Sequence, residues 1–204
     1  MLPRRRDGGL RGRRLSVLRV AEARMRPRPP WRVVLIGPES TGKTWLAGQL
    51  AGHYGVPWSP EFAREYVETK QGTLGYADVD PIGRGQRAGE DAAIDLAERD
   101  GARLVVLDTD LVSTVVYSRH YYGDCPEWIE HEARARLGDL YLLHHVDVDW
   151  VSDGLQREQP QRRGELFERF RTSLAGLGVR VWDVRGSWDE RRARAVDGVD
   201  QLLA

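Results

Sequence analysis

The chain has 204 residues, 41% of them hydrophobic and 30% charged, enough for one well-filled core. Its 31 basic and 31 acidic residues cancel, but unevenly: residues 1 to 30 hold ten arginines against Asp7 and Glu22, a local net charge of +8. The single cysteine, Cys125, excludes an internal disulfide framework and a multi-cysteine zinc site, and no apolar run approaches the ~18 residues of a spanning helix, so a reducing, cytoplasmic address is expected.

Residues 1 to 30 are rich in Arg, Gly and Pro and end in Arg26-Pro27-Arg28-Pro29-Pro30, the composition of a disordered tail. The tail lacks the apolar core of a secretory signal. It reads as a basic arm for nucleic acid or an acidic partner, as a targeting peptide of another kind, or as an inert extension; Met25 offers a second translation start close to the first strand.

Past the tail, apolar runs alternate with amphipathic stretches in the manner of a parallel sheet covered on both faces. Trp31 to Ile36 predicts a strand, Lys43 to Tyr54 a helix, Val56 to Ser59 a short strand, and Glu61 to Lys70 a helix with Phe62 and Tyr66 on one face. Asp80-Pro81 is expected to open a long helix to about Arg99, with Ile82, Ala92, Ala93, Leu96 and Ala97 facing the core. Arg103 to Leu107 is the most β-branched strand and runs into Asp108-Thr109-Asp110. Helices over Leu111 to Tyr121 and Glu127 to Leu137, a strand at Leu140 to Leu143, and a charged helical stretch from Gln156 to Leu177 follow. Val179 to Val184 is the last strand, and Ser187-Trp188-Asp189-Glu190 is a capping box before a helix carrying Val196, Val199 and Leu203. The expectation is one domain over residues 31 to 204, α/β, with five parallel strands and helices on both faces.

Gly37-Pro38-Glu39-Ser40-Thr41-Gly42-Lys43-Thr44, directly after Val33-Val34-Leu35-Ile36, is a complete GxxxxGK[ST] phosphate-binding loop between a strand and a helix. Backbone N–H groups of such a loop cradle a nucleoside triphosphate tail, Lys43 reaches the β- and γ-phosphates, and the Thr44 hydroxyl serves Mg²⁺. Only Lys43 and Lys70 among 31 basic residues are lysine, so an arginine-biased chain keeps a compact point charge at the phosphate position.

Mg²⁺ wants a carboxylate at the end of a neighbouring buried strand, which Asp108 supplies; a turn-forming aspartate is the alternative. Asp110 reads as a support behind the metal ligands, as an acceptor contact, or as the cap of the helix from Leu111. Trp58-Ser59-Pro60-Glu61-Phe62-Ala63-Arg64-Glu65-Tyr66 follows the second strand, where the acceptor belongs. Glu61 there is a candidate base or a first-turn charge on a helix dipole. Asp153 to Arg163, with Arg157, Arg162 and Arg163, reads as a closing lid that neutralises the transferred phosphoryl group, or as a charged surface helix. His144 and His145 are neighbours on a strand, with side chains on opposite faces, and no histidine has a ligand-spaced companion.

The phosphate loop, Pro60-Glu61-Phe62-Ala63-Arg64-Glu65-Tyr66, Gly85-Gln86, Asp108-Thr109-Asp110, Cys125-Pro126-Glu127-Trp128 and Asp149-Trp150-Val151-Ser152-Asp153-Gly154-Leu155 together resemble the ribosylnicotinamide kinase domain of the bacterial bifunctional NAD-biosynthesis regulators. The resemblance spans residues 31 to 204 and implies an adenylate-kinase-like P-loop NTPase fold with an arginine-bearing lid. It implies transfer of the γ-phosphate of ATP, with Mg²⁺, to the 5′-hydroxyl of nicotinamide riboside, giving nicotinamide mononucleotide in a stand-alone kinase. It assigns Glu61, Asp108 and Asp110 to the acceptor and metal region and Asp153 to Arg163 to the lid, and makes Trp58, Tyr66 and Trp150 candidates for the nicotinamide pocket. Trp45, where a small or polar residue is commoner, and Leu155-Gln156 before Arg157 depart from the family pattern.

The chain contains no asparagine, which excludes the Asn-Lys-x-Asp guanine motif of a GTPase. Thr109 rather than a glutamate follows Asp108, so transfer to a small acceptor fits better than hydrolysis. A kinase for another nucleoside or vitamin, and a nucleotide-dependent regulator holding nucleic acid through its basic tail, are the competing readings.

Overall fold

The computed structural model describes residues 28–70, 72–150 and 162–204. The strands are β1 (Trp31–Ile36), β2 (Trp58–Ser59), β3 (Leu104–Asp108), β4 (Leu140–His144) and β5 (Val181–Val184). The helices are α1 (Lys43–Tyr54), α2 (Phe62–Lys70), α3 (Val79–Asp100), α4 (Leu111–Tyr122), α5 (Glu127–Ala135), α6 (Arg163–Leu177) and α7 (Trp188–Leu203). All strand pairs are parallel, in the order β2-β3-β1-β4-β5, and Val34 sits in register with Leu107 on one side and Tyr141 on the other.

The three inner strands read as unbroken apolar runs because both of their faces are covered. Val34, Ile36, Val105, Leu107, Tyr141 and Leu143 face a core closed by Ala93, Ile94 and Ala97 of α3, Leu111 and Val116 of α4, Ile129 of α5, and Leu166 and Phe170 of α6. Val33, Leu35, Leu104, Val106, Leu140 and Leu142 face the opposite way, onto Leu46, Ala47 and Leu50 of α1 and Ala195, Val199 and Leu202 of α7. The alternation of odd and even positions between the two layers is the period-2 geometry of a strand. Helix α2 is the exception among the helices: it flanks the short edge strand β2, packs on α3, and has no buried residue.

The structure shifts several expected positions. Helix α3 begins at Val79 behind a 3₁₀ turn at Tyr76–Asp78, so the leading carboxylate is Asp78, which accepts the Gly75 N–H at 2.7 Å, and not Asp80. Pro81 then lies in the first turn, where its missing N–H would have had no helical partner. The buried stripe of α3 is Ile82, Gln86, Glu90, Ala93, Ile94 and Ala97, whereas Ala92 and Leu96 face solvent. Two buried polar residues on that stripe hid its phase from a hydrophobic count. The charged stretch expected from Gln156 becomes a helix from Arg163; Gln156 and the tail up to residue 27 lie outside the described residues.

Candidate active site

The loop from Gly37 to Thr44 leaves the C-terminal end of β1 and turns into α1, and its shape is held by side-chain donors. Lys43 Nζ and Thr41 Oγ1 both donate to the Pro38 carbonyl at 2.8 Å. From outside, His144 Nδ1 meets the Thr41 carbonyl at 3.0 Å and Arg191 Nη1 meets it at 3.3 Å, while Arg163 Nη2 donates to the Ser40 carbonyl at 3.2 Å. A peptide whose carbonyl is held on the outer side directs its N–H the other way, which is the arrangement an anion-binding nest requires. Burial pushes the His144 imidazole down to about 3, with the Lys43 and Arg191 charges adding to the effect, so the ring is neutral and gives its Nδ1 hydrogen to the carbonyl.

Ser40 (φ 54°) and Thr109 (φ 70°) are the two non-glycine residues in the left-handed region among the described residues, and both lie at this site. Such backbone costs about 1–3 kcal/mol and persists where the surroundings over-determine it. At Thr109 they do: its N–H donates to the Leu35 carbonyl at 3.1 Å, and its own carbonyl accepts from Gln86 Nε2 at 3.2 Å.

Asp108 closes β3 with no exposure, its Oδ2 accepting the Thr44 hydroxyl at 2.6 Å and its Oδ1 finding no partner among the described residues. Burial raises its carboxyl to about 6, the neighbouring Glu61 charge adds to this, and Lys43, the Thr44 hydroxyl and Arg64 oppose it. A hydroxyl beside a buried carboxylate with one unused oxygen is a donor set that fits a hard divalent cation.

Asp110 is placed as a cap and not as an acceptor contact. Its Oδ1 accepts from the N–H groups of Val112 and Ser113 at 3.0 and 3.3 Å, and its Oδ2 accepts the Tyr141 hydroxyl at 2.7 Å. Both oxygens are committed and the residue is 4% exposed, so its carboxylate orients α4 beneath the site.

Beside the strand end lies a cavity of about 480 Å³, its open mouth included, lined by Glu61, Leu74, Asp78, Gln86, Thr109, Ser113, Tyr117, Tyr121 and Tyr122, among others. Among the described residues, no arginine or lysine lines it. Gln86 from α3 sets its floor, accepting the Phe62 N–H at 3.1 Å while donating to Thr109, so the start of α2 and the end of β3 are tied by one amide. Ser113 Oγ is buried without a partner among the described residues, and the Tyr66 hydroxyl donates at 2.8 Å to Asp78, which also pairs with Lys70.

The remaining sequence candidates scatter. Trp58 is exposed on β2 and Trp150 is half-buried; neither lines the cavity, and Tyr66 reaches it only through Asp78. Glu39 accepts the Tyr121 hydroxyl at 2.7 Å, which ties the loop to α4. Arg162 pairs with Glu165 at 3.2 Å at the start of α6. Arg163 is a buried support of the loop and not a member of a lid. Trp45 is exposed against Trp188. Asp153 and Arg157 lie outside the described residues. Gln86, Ser113, Arg191 and Trp188 were not singled out from the sequence as site residues. Of these only Gln86 left a signal, as part of the Gly85-Gln86 motif; the others depend on which helix faces which loop.

The geometry can be set beside known proteins. The chain is 30% identical over 128 residues to the trifunctional NAD biosynthesis/regulator protein NadR of Escherichia coli strain K12, a match covering 61% of this chain and 30% of that protein. Crystal structures of NadR in complex with NR, and with NAD and AMP-PNP, superpose with TM-scores of 0.67 and 0.66 at 26% identity, over 86% of this chain and 52% and 50% of theirs. A thymidylate kinase from Ehrlichia chaffeensis shares the fold, with a TM-score of 0.57 at 16% identity over 86% of this chain and all of that one. The chain thus spans less than a third of the curated relative and about half of the NadR chains. The sheet is that of a P-loop NTPase of the nucleotide-kinase kind, and with the AAA domain model (AAA_28) matching residues 32–191, the chain belongs to that family.

Proposed function

We propose that this chain is an ATP-dependent kinase that phosphorylates the 5′-hydroxyl of nicotinamide riboside to give nicotinamide mononucleotide. The observation that carries the reading is the cavity beside the phosphate loop: Glu61 and three tyrosine rings line it with Asp78, whose charge Lys70 meets from outside the lining, and no arginine or lysine is among the described lining residues. Nicotinamide riboside carries a permanent positive charge on a flat ring, and carboxylates with aromatic faces are what such a cation seeks. The NadR structures that hold NR and AMP-PNP support the same pair of ligands.

In this reading the loop N–H groups and Lys43 hold the triphosphate, Lys43 leaving the Pro38 carbonyl for the β- and γ-oxygens. Thr44 and Asp108 would hold Mg²⁺, which when bound neutralises charge on the β- and γ-phosphates. Glu61, whose charge is felt at Asp108, lies between the cavity and the strand end. It accepts the proton of the acceptor hydroxyl as that oxygen bonds to the γ-phosphorus. The bond from γ-phosphorus to the bridging oxygen breaks, and ADP leaves with that electron pair. Gln86 fixes the distance between Glu61 and Asp108 by holding Phe62 N–H and Thr109 carbonyl together.

An acceptor screen with ATP and Mg²⁺ tests this. Nicotinamide riboside should stimulate ADP release strongly, its uncharged dihydro form, adenosine and thiamine far less, and Lys43→Ala should lower kcat/KM by roughly 10²–10³-fold. Equal turnover with and without nicotinamide riboside would sink the proposal. Glu61→Gln should lose kcat with ATP affinity intact, whereas Asp108→Asn should raise the Mg²⁺ concentration required.

A further inference from the structure

Trp45 and Trp188 are 41% and 49% exposed, and they touch each other, ring centroids 5.1 Å apart at an interplanar angle of 67°. They form an open aromatic corner built onto the phosphate loop. The six-membered ring of Trp188 lies on Gly42, where an added Cβ would stand 2.3 Å from Trp188 Cζ3; Gly42 also has φ +80°, so position 42 excludes side chains on both counts. The mount is rigid. One turn beyond Trp188 in α7, the buried Arg191 donates to the Thr41 carbonyl at 3.3 Å and to the Gly186 carbonyl at 2.9 Å, joining helix, preceding turn and loop into one unit.

The direction of the corner gives it a ligand. Lys43, Thr44 and Asp108 mark where the β- and γ-phosphates belong, and the acceptor cavity with Glu61 and Thr109 lies on the β3 side of β1. Helix α7 follows β5, at the other edge of the sheet, so the tryptophan corner flanks the loop on the side away from the cavity. A nucleoside triphosphate is a chain of fixed order. With its γ-phosphate toward the acceptor, its base leaves in the opposite direction, past residue 45. Two indoles at a steep angle offer a flat ring one face to stack on and one edge to abut.

We propose that Trp45 and Trp188 form the platform for the purine base of the donor nucleotide, which they grip by stacking. The inference rests on the reading of residues 37 to 44 as a triphosphate site, but not on the identity of the acceptor.

Equilibrium binding to the full chain, without acceptor, tests it with two probes, Mg·ATP and Mg·tripolyphosphate, the second having the phosphates and no base. Trp188→Ala should weaken ATP on the order of tenfold, as expected for losing a base–aromatic stack, and leave tripolyphosphate unchanged. Trp188→Tyr should recover most of the loss. Trp45→Ala should act in the same direction, and ATP should quench the tryptophan emission of the unaltered protein more than tripolyphosphate does. An equal loss for both probes would mean that the corner only props the loop, and no loss for either would mean that it does not meet the donor; each overturns the proposal. Failure of the nicotinamide riboside screen would leave these binding results standing, so the two readings fail separately.

Discussion

Glu90 takes no part in the proposed chemistry, yet its carboxyl group is buried in the helix layer. It is 2% exposed on α3, 3.4 Å from Gln86 Nε2 and 3.6 Å from Arg136, and burial together with the nearby Asp110 charge raises its carboxyl to about 8. Between pH 4.5 and about 8 the unfolded chain has released that proton while the folded chain keeps it, so this group favours folding at low pH and the contribution fades as pH rises through 8. Glu90→Gln keeps the shape and removes the titration. Thermal unfolding from pH 5 to 8.5 should fall more steeply for the unaltered protein than for the variant, by up to about 1.4 kcal/mol per pH unit. Identical slopes would show that Glu90 is ionised in the fold. His144, held neutral, acts in the opposite sense below its ordinary range, so the comparison between variant and parent isolates Glu90. At this scale the sequence was legible where a motif fixes a side chain's place, as with Asp108, expected close to the Thr44 hydroxyl and found beside it. It was not legible where burial decides, because Asp110 reads equally well as a cap or an acceptor contact until Tyr141 and two backbone N–H groups are seen to use both its oxygens.

Among the helices, α2 stands apart because no residue in it is buried, although Glu61 immediately precedes it and Gln86 holds its first N–H. A helix with few buried contacts opens at low free-energy cost. Amide hydrogen exchange should therefore be faster over residues 62–70 than over α1 or α7, and saturating nicotinamide riboside should slow it there selectively; protection equal to that of α1 without acceptor would contradict this. The helix is held at a few points: the half-buried Phe62 lies close on Gly85, where an added Cβ would sit 2.1 Å from its ring, and Tyr66 and Lys70 both reach Asp78. The existence and type of each strand and α-helix followed from periodicity and caps, as with the Ser187–Glu190 capping box that opens α7, whereas the 3₁₀ turn at Tyr76–Asp78 was not foreseen. Boundaries were less legible where polar residues are buried. Gln86 and Glu90 interrupt the apolar stripe of α3, and the two-residue β2 gives no period to read.

Across the whole molecule, β1 is the central strand, and the two halves of the sheet carry different ends of the proposed reaction. Glu61, Gln86 and Thr109 belong to the β2-β3 side, while Arg191 and Trp188 come from the helix after β5. The fold class was legible because a strand, a glycine-rich loop and a helix in that order admit few architectures. Which half would serve which ligand was not, since strand order is a property of pairing and not of any local run. Variants on opposite halves share no partner, so Phe62→Ala and Trp188→Ala combined should change kcat/KM by the product of their separate effects, within about twofold. A larger departure would show that the halves communicate through the loop. The central strand also has a consequence for how such a protein diversifies. If donor and acceptor are served as proposed, residues 58 to 86 and 109 to 122, which together line the cavity, can drift toward a new acceptor while the nucleotide end is inherited intact, and a chimera exchanging those two stretches should change what is phosphorylated without changing what supplies the phosphate.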